Sequence, residues 1–145
     1  MREILFRGKS MYNGEWIYGS FFYDNDVVTI LPNPTCIGCG FGGLWWIDDG
    51  FDPVDRETVG QFTGLTDKHG TKIFEGDIVR CVRTHCDGKE VVGHIIFEDC
   101  CFCVKKGIDR PAMDLCGEFE VIGNIHDNPE LLTKNSAIDD PLDNQ

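Results

Sequence analysis

The apolar residues of this chain come in short runs rich in Val, Ile, Phe and Trp, cut by Gly, Asn or Asp about every eight to twelve residues. Runs of that length are too short for the repeating stripe of an amphipathic helix and suit strands joined by tight turns. The pattern predicts strands near Ile4–Arg7, Glu15–Tyr23, Val27–Leu31, Thr58–Thr63, Ile73–Phe74, Asp77–Arg83, Val91–Phe97, Cys101–Lys105 and Phe119–Ile125. Tyr12-Asn13-Gly14-Glu15, Asp24-Asn25-Asp26 and Thr66-Asp67-Lys68-His69-Gly70 supply turns between them. One helix start is legible: Asn128 as cap, Pro129 at the first helical position and Glu130 in the first turn.

The 145 residues suit one domain, and ten Phe, three Trp and three Tyr give it bulky groups for a core. Pro32-Asn33-Pro34 stops a strand because proline lacks the amide a ladder needs, and a glycine-rich stretch runs on from Gly38 to Gly43. Residues 32–50 therefore read as a glycine- and cysteine-rich insertion in a domain spanning 1–133. The polar, acidic residues 134–145 read as a flexible tail.

Thirteen basic against 25 acidic residues leave a net charge of −12, with 5 against 10 in residues 1–70 and 8 against 15 in the remainder. Nucleic-acid binders replace phosphate counterions with Lys and Arg, so direct DNA or RNA binding is not expected. Anionic membrane surfaces would repel the chain for the same reason. The opening Met1-Arg2-Glu3-Ile4-Leu5-Phe6-Arg7-Gly8-Lys9 is too charged for a signal peptide, and no run approaches the roughly 18 apolar residues of a membrane span. The expected location is the cytoplasm, where thiols stay reduced.

Eight cysteines then need a reason. Cys36-Ile37-Gly38-Cys39-Gly40 holds the C-x2-C spacing that lets two thiolates face one tetrahedral zinc, which makes Cys36 and Cys39 candidate metal ligands. They are half a site, completed only if the fold brings in Cys81 with Cys86 or Cys100 with Cys103. A redox reading fails on context, because no helix follows the motif. Reduced thiols packed as small apolar groups are the alternative, and the frequency of buried cysteine favours it for Cys101 and Cys103, which share one strand face. No other cofactor is expected.

His69, His85, His94 and His126 are scattered, with no partner spacing for metal or catalysis. Asp48, Asp49, Asp52, Asp55 and Glu57 form an acidic run without the ligand spacing of a calcium loop, so a solvated face is the better reading. P-loop, dinucleotide and nucleophile-elbow motifs are missing. Trp45 and Trp46 are adjacent, and neighbouring strand residues face opposite ways, so one of them needs cover beyond a one-sided core. Contact between subunits is the first candidate for that cover.

Residues 55–70, Asp55-Arg56-Glu57-Thr58-Val59-Gly60-Gln61-Phe62-Thr63-Gly64-Leu65-Thr66-Asp67-Lys68-His69-Gly70, are followed by Ile73-Phe74-Glu75-Gly76-Asp77-Ile78-Val79. Together they resemble the central signature of the YopX family of phage and prophage proteins. Arg2–Gly8 with Trp16-Ile17-Tyr18-Gly19 is similar to that family's opening, and Phe119–Asn124 with Asn128–Leu132 to its close. The matching residues Gly60, Gln61, Thr63, Gly64, Asp67, Gly70, Phe74, Gly76 and Asp77 read as structural, because turn geometry explains them. The resemblance implies a mainly β fold, a small SH3-like barrel with additional β-hairpins and a short C-terminal helix, assembled as a homo-oligomer.

The family carries no settled activity. The expected role is a non-enzymatic binding or assembly protein in the cytoplasm of a bacterial host cell, acting as a homo-oligomer or on a host protein. One alternative is an acidic decoy that occupies a host nucleic-acid-binding protein. Another is a zinc-binding protein or an enzyme whose site is assembled from distant residues.

Overall fold

The computed structural model describes residues 1–32, 38–39, 45–46, 53–82, 90–105 and 118–136. In chain order the elements are β1 (Phe6–Ser10), β2 (Trp16–Asp24), β3 (Val27–Pro32), β4 (Gly38–Cys39), β5 (Trp45–Trp46), β6 (Val54–Thr66), β7 (Lys72–Phe74), β8 (Asp77–Val82), β9 (Glu90–Glu98), β10 (Cys101–Lys105), β11 (Phe119–Asn124) and α1 (Glu130–Ser136). The fold is mainly β, as expected, and its pairings are antiparallel with the short helix at the C-terminal side. Asn33, Pro34, Cys36, Gly40–Gly43, Asp48, Asp49, Asp52, Arg83, His85, Cys86 and residues 137–145 lie outside the described residues.

The chain divides into two compact units, 1–62 and 63–145. In the first, the strands lie in the order β3-β2-β1-β6. A two-residue turn at Asn25 and Asp26, both at positive φ (45° and 66°), closes the β2–β3 hairpin and sets Asp24 opposite Val27. The core of this unit is Val28, Ile30 and Val54, with Phe6, Ile17 and Val59 packed against them. Gly19 is buried where β2 passes β3, and a Cβ at that position would run into the Leu31 carbonyl oxygen.

Strand β6 leaves regular pairing soon after it begins. Lys9 faces Asp55 and Arg7 faces Gly60, so four residues, Arg56 to Val59, oppose the single Gly8. This long bulge is stitched down by Thr58, whose hydroxyl donates to the Asp55 carbonyl (2.6 Å) and accepts the Lys9 amide (2.9 Å). The Glu57 amide donates to Asp55 Oδ1 at 3.1 Å. The sequence-based strand began at Thr58; the structural one begins four residues earlier because β1 pairs with both sides of the bulge.

In the second unit β10, β9, β8 and β11 form a sheet in that order, and β7 pairs with the end of β6. Ile73, Val79, Cys81, Val91, Ile95, Val104 and Phe119 make its core. Full burial of such side chains contributes about 1.5–3 kcal/mol each. The β9–β10 hairpin turns through Asp99 and Cys100 at positive φ, so Cys100 sits in the turn and β10 begins at Cys101. The sequence places this strand at Cys101–Lys105, where the structure has it; of the two turn residues Asp99 commonly adopts the left-handed conformation and Cys100 does not.

Of the small SH3-like barrel that the resemblance implies, the mainly β sheets and the short C-terminal helix are present; among the described residues each sheet is open and no barrel closes. In the first unit the edges formed by β3 and β6 meet at an isolated antiparallel bridge, Thr29 with Pro53. Helix α1 begins at Glu130, as the Asn128-Pro129-Glu130 pattern predicts, but the Asn128 side chain turns back to accept the Asn124 amide at 3.4 Å.

The Gly19 contact is with backbone, which cannot rotate away, whereas Gly14 (φ +71°) has open space around its Cβ position. Gly19→Ala is expected to destabilise by about 2–3 kcal/mol, against about 1–2 kcal/mol for Gly14→Ala. Urea denaturation of both variants checks the order; equal midpoints would contradict it.

Candidate functional site

The motif residues divide between the two units. Gly60 and Gln61 lie on β6 opposite Arg7 and Phe6 of β1. Thr63, Gly64, Asp67, Gly70, Phe74, Gly76 and Asp77 belong to the second unit, where two carboxylates organise two turns.

Asp67 is buried, yet every acceptor position on it that the structure occupies is used by a backbone amide. Its Oδ1 takes the amides of His69 (2.9 Å) and Thr71 (2.8 Å), closing its own turn. Its Oδ2 takes the Val121 amide of β11 at 3.1 Å, 54 residues away. Backbone bonds reinforce this arrangement: Asp67 N–H to Thr71 O at 2.8 Å, Gly70 N–H to Asp67 O at 3.0 Å, and Lys68 N–H to Phe119 O at 3.0 Å. Gly70 at φ +82° is the residue that lets the turn close. Burial pushes the Asp67 carboxyl up, but the amides of Val121, Thr71 and His69 outweigh it and leave the group below its ordinary value.

Asp77 does the same on a smaller scale. Its Oδ2 accepts the Phe74 amide at 2.8 Å in a buried bond, around Gly76 at φ +88°. The turn is then held on both sides, with the Gly76 amide on the Ile95 carbonyl (2.8 Å) and the Ile125 amide on the Gly76 carbonyl (2.9 Å). Thr63 donates through its hydroxyl to the Ile73 carbonyl at 2.8 Å, across Gly64 at φ +88°. All of these bonds end on backbone, so they fix the path of the chain.

On the surface beside the Asp67 turn, Glu120 gathers three nitrogen-bearing side chains: Lys68 at 3.4 Å, His69 at 3.4 Å and Arg80 at 3.5 Å. Arg80 also reaches Glu90 at 3.3 Å. Partial desolvation raises the Glu120 carboxyl, and His69, Lys68 and Arg80 together bring it below its usual range. These exposed pairs contribute little to stability.

Cys39 is placed in β4 opposite Trp45, and Cys36 lies outside the described residues. Trp45 and Trp46 do form a strand. Cys103 is buried, and its thiol is pushed up first by that burial and then by neighbouring Cys101, Glu98 and Asp99. Cys101 donates its thiol to the Glu98 carbonyl at 3.4 Å, and Cys81 lies in the core. His94 is half-buried, and its imidazole is pushed down by desolvation and by Lys105. Among the described residues no three His, Cys, Asp or Glu side chains converge as a metal site would require.

Sequence reasoning missed a cavity of about 380 Å³ in the first unit, lined by Met11, Asp26–Val28 and Pro53–Arg56. Above it the Tyr23 hydroxyl donates to Asp26 Oδ1 at 2.8 Å, and the Arg56 guanidinium lies 5.7 Å from the Tyr23 ring centre. No local signal announces it, because it exists only where β3 and β6 part company.

A family model described as YopX protein matches residues 5–133. The crystal structure of protein EF1440 from Enterococcus faecalis is similar to this chain with a TM-score of 0.60 and 26% identity, covering 91% of this chain and 99% of that one. No curated protein sequence matches.

Asp67→Asn keeps one acceptor but presents an amide donor to a backbone donor, and loses the charge. A loss of about 1.5–3 kcal/mol is expected, the range for hydrogen bonds to charged groups. Because the folded carboxyl lies below its unfolded value, its contribution is present above the unfolded pKa and is lost as pH falls through the folded one. The acid limb of a stability profile should therefore be flatter in Asp67→Asn; a limb parallel to that of the unmodified protein would contradict the assignment.

Proposed function

The chain belongs to the YopX family, and from that premise we propose that it is a non-enzymatic binding or assembly protein of a phage or prophage, working as a homo-oligomer in the cytoplasm of its bacterial host. The observation that carries this reading is strand β2. Tyr18, Phe21, Phe22 and Tyr23 on it are 40–48% exposed, although large aromatic side chains are the groups a core takes first. Tyr18 and Phe22 point to one face of the strand, and Phe21 and Tyr23 to the other.

Phe21 rests on Phe6 with ring centres 5.4 Å apart, and Tyr23 carries Arg56 on its face, so these side chains are held rather than loose. Rings fixed in place lose little freedom when a partner covers them. Aromatic side chains are enriched at the centres of protein interfaces, and a second copy of the hairpin packed on the Tyr18–Phe22 face would cover those rings. Among the described residues no helix is long and apolar enough to cross a membrane.

The charge of −12 favours a second reading, in which the acidic surface holds a basic nucleic-acid-binding protein of the host. Such binding would vanish at about 1 M salt, where charges are screened beyond about 3 Å. Assembly through aromatic side chains would survive it.

Light scattering behind size exclusion tests the first reading. The protein should elute at a multiple of 16.3 kDa in high salt. The double variant Tyr18→Ser, Phe22→Ser should shift toward the monomer, with a thermal midpoint retained for the folded chain. A mass of one chain for the unmodified protein would end this reading.

A further inference from the structure

The bridge between Thr29 and Pro53 defines an antiparallel register. Continued by one step at a time, it would set Val28 opposite Val54, Val27 opposite Asp55 and Asp26 opposite Arg56. Among the described residues β3 and β6 form no ladder there. Those same residues, with Met11, line the 380 Å³ cavity instead. It is the place where a sheet begins to close on itself and stops.

The cause is on the page. On its far side β6 still pairs with β1 at Val54 and Asp55, after which the bulge of Arg56–Val59 bends it away. β3 stays with β2, to which it is tied at Val27 and Val28. Among the described residues β3 is therefore an edge strand, and its Val27 end lies beside a pocket. Its floor is Val28 and Val54, both buried, and its walls include Met11 and Val27, both at least half exposed.

The charges at the mouth are specific. Asp26 and Asp55 line it, and Glu57 follows on the bulge. Asp26 engages the Tyr23 hydroxyl through Oδ1, and Asp55 engages the Glu57 amide through Oδ1. Neither makes an ion pair among the described residues. Arg56, the cation among the described residues that line the cavity, lies over the Tyr23 ring.

We propose that the gap between the diverging ends of β3 and β6 is a peptide-binding slot, taking an extended segment that carries one large apolar side chain with a basic residue two positions away, on the same face of the strand. The apolar side chain enters the cavity, whose volume lies at the lower end of the range for ligand sites. The segment's backbone lies along the open edge of β3, the strand-addition mode of peptide recognition. Its Lys or Arg meets Asp26 and Asp55, in the field of a chain carrying −12 overall. This goes beyond assembly through β2 and uses different side chains, so either can fail alone.

The probe is the peptide acetyl-Lys-Thr-Leu-Thr-Lys-amide, titrated into the full-length protein and followed by amide resonances. Expected is saturable binding, with the largest shifts at Asp26, Val27, Val28, Val54, Asp55 and Arg56. The same peptide with Glu for both Lys should bind at least about tenfold more weakly. The double variant Asp26→Asn, Asp55→Asn keeps both side-chain acceptors and removes two charges, so it should retain its thermal midpoint and weaken binding of the basic peptide by about tenfold. No saturation below about 1 mM, equal binding of the Glu peptide, or shifts centred elsewhere would overturn the proposal. Shifts of these amides on dilution of the protein alone, with no response to peptide, would also overturn it and assign the slot to a second copy.

Discussion

The Asp67 carboxylate ties the second unit together. It accepts two amides of its own turn and one from β11, so a local turn and a pairing across 54 residues depend on a single buried group. A buried charge is tolerated only when hydrogen bonds replace its hydration, and here three backbone donors do so. The neighbouring Lys68 amide on the Phe119 carbonyl adds a second link between the same two segments. With β11 fixed in this way, Phe119 is delivered to the core beside Val79 and Cys81, and the rest of the sheet is ordered around them.

The first unit is organised by an interruption. Thr58 replaces the missing ladder partners of the bulge, taking the Lys9 amide and returning a bond to the Asp55 carbonyl. β6 can therefore leave the register of β1 and rejoin it at Gly60 without leaving these groups unpaired. That detour separates the start of β6 from the edge of β3 and opens the cavity. A regular strand through the same residues would have continued toward closure.

Membership of the YopX family and the likeness to the Enterococcus faecalis structure agree with what the motif residues do. Gly64, Gly70 and Gly76 occupy positive φ, and Asp67 and Asp77 hold the turns beside them. These are requirements of chain path. The residues on which the proposed assembly and peptide binding rest, the exposed aromatic side chains of β2 and the carboxylates at the cavity mouth, lie in the first unit, away from the Gly64–Asp77 signature in sequence.

The sequence by itself determined the mainly β class, most strand positions, the Asn25-Asp26 and Asp67–Gly70 turns and the start of the helix. Each rests on φ preferences and two-residue periodicity, which act within a few neighbours. It also marked Asp67 as a turn residue, since Asp bonds its own backbone, but the third bond to Val121 joins segments that no local preference brings together. Tertiary structure alone decided that among the described residues the sheets are open and that β2 shows aromatic side chains on both faces. Strand partners are chosen by the sum of contacts between distant segments, and a bulge of four residues opposite one changes which edges meet.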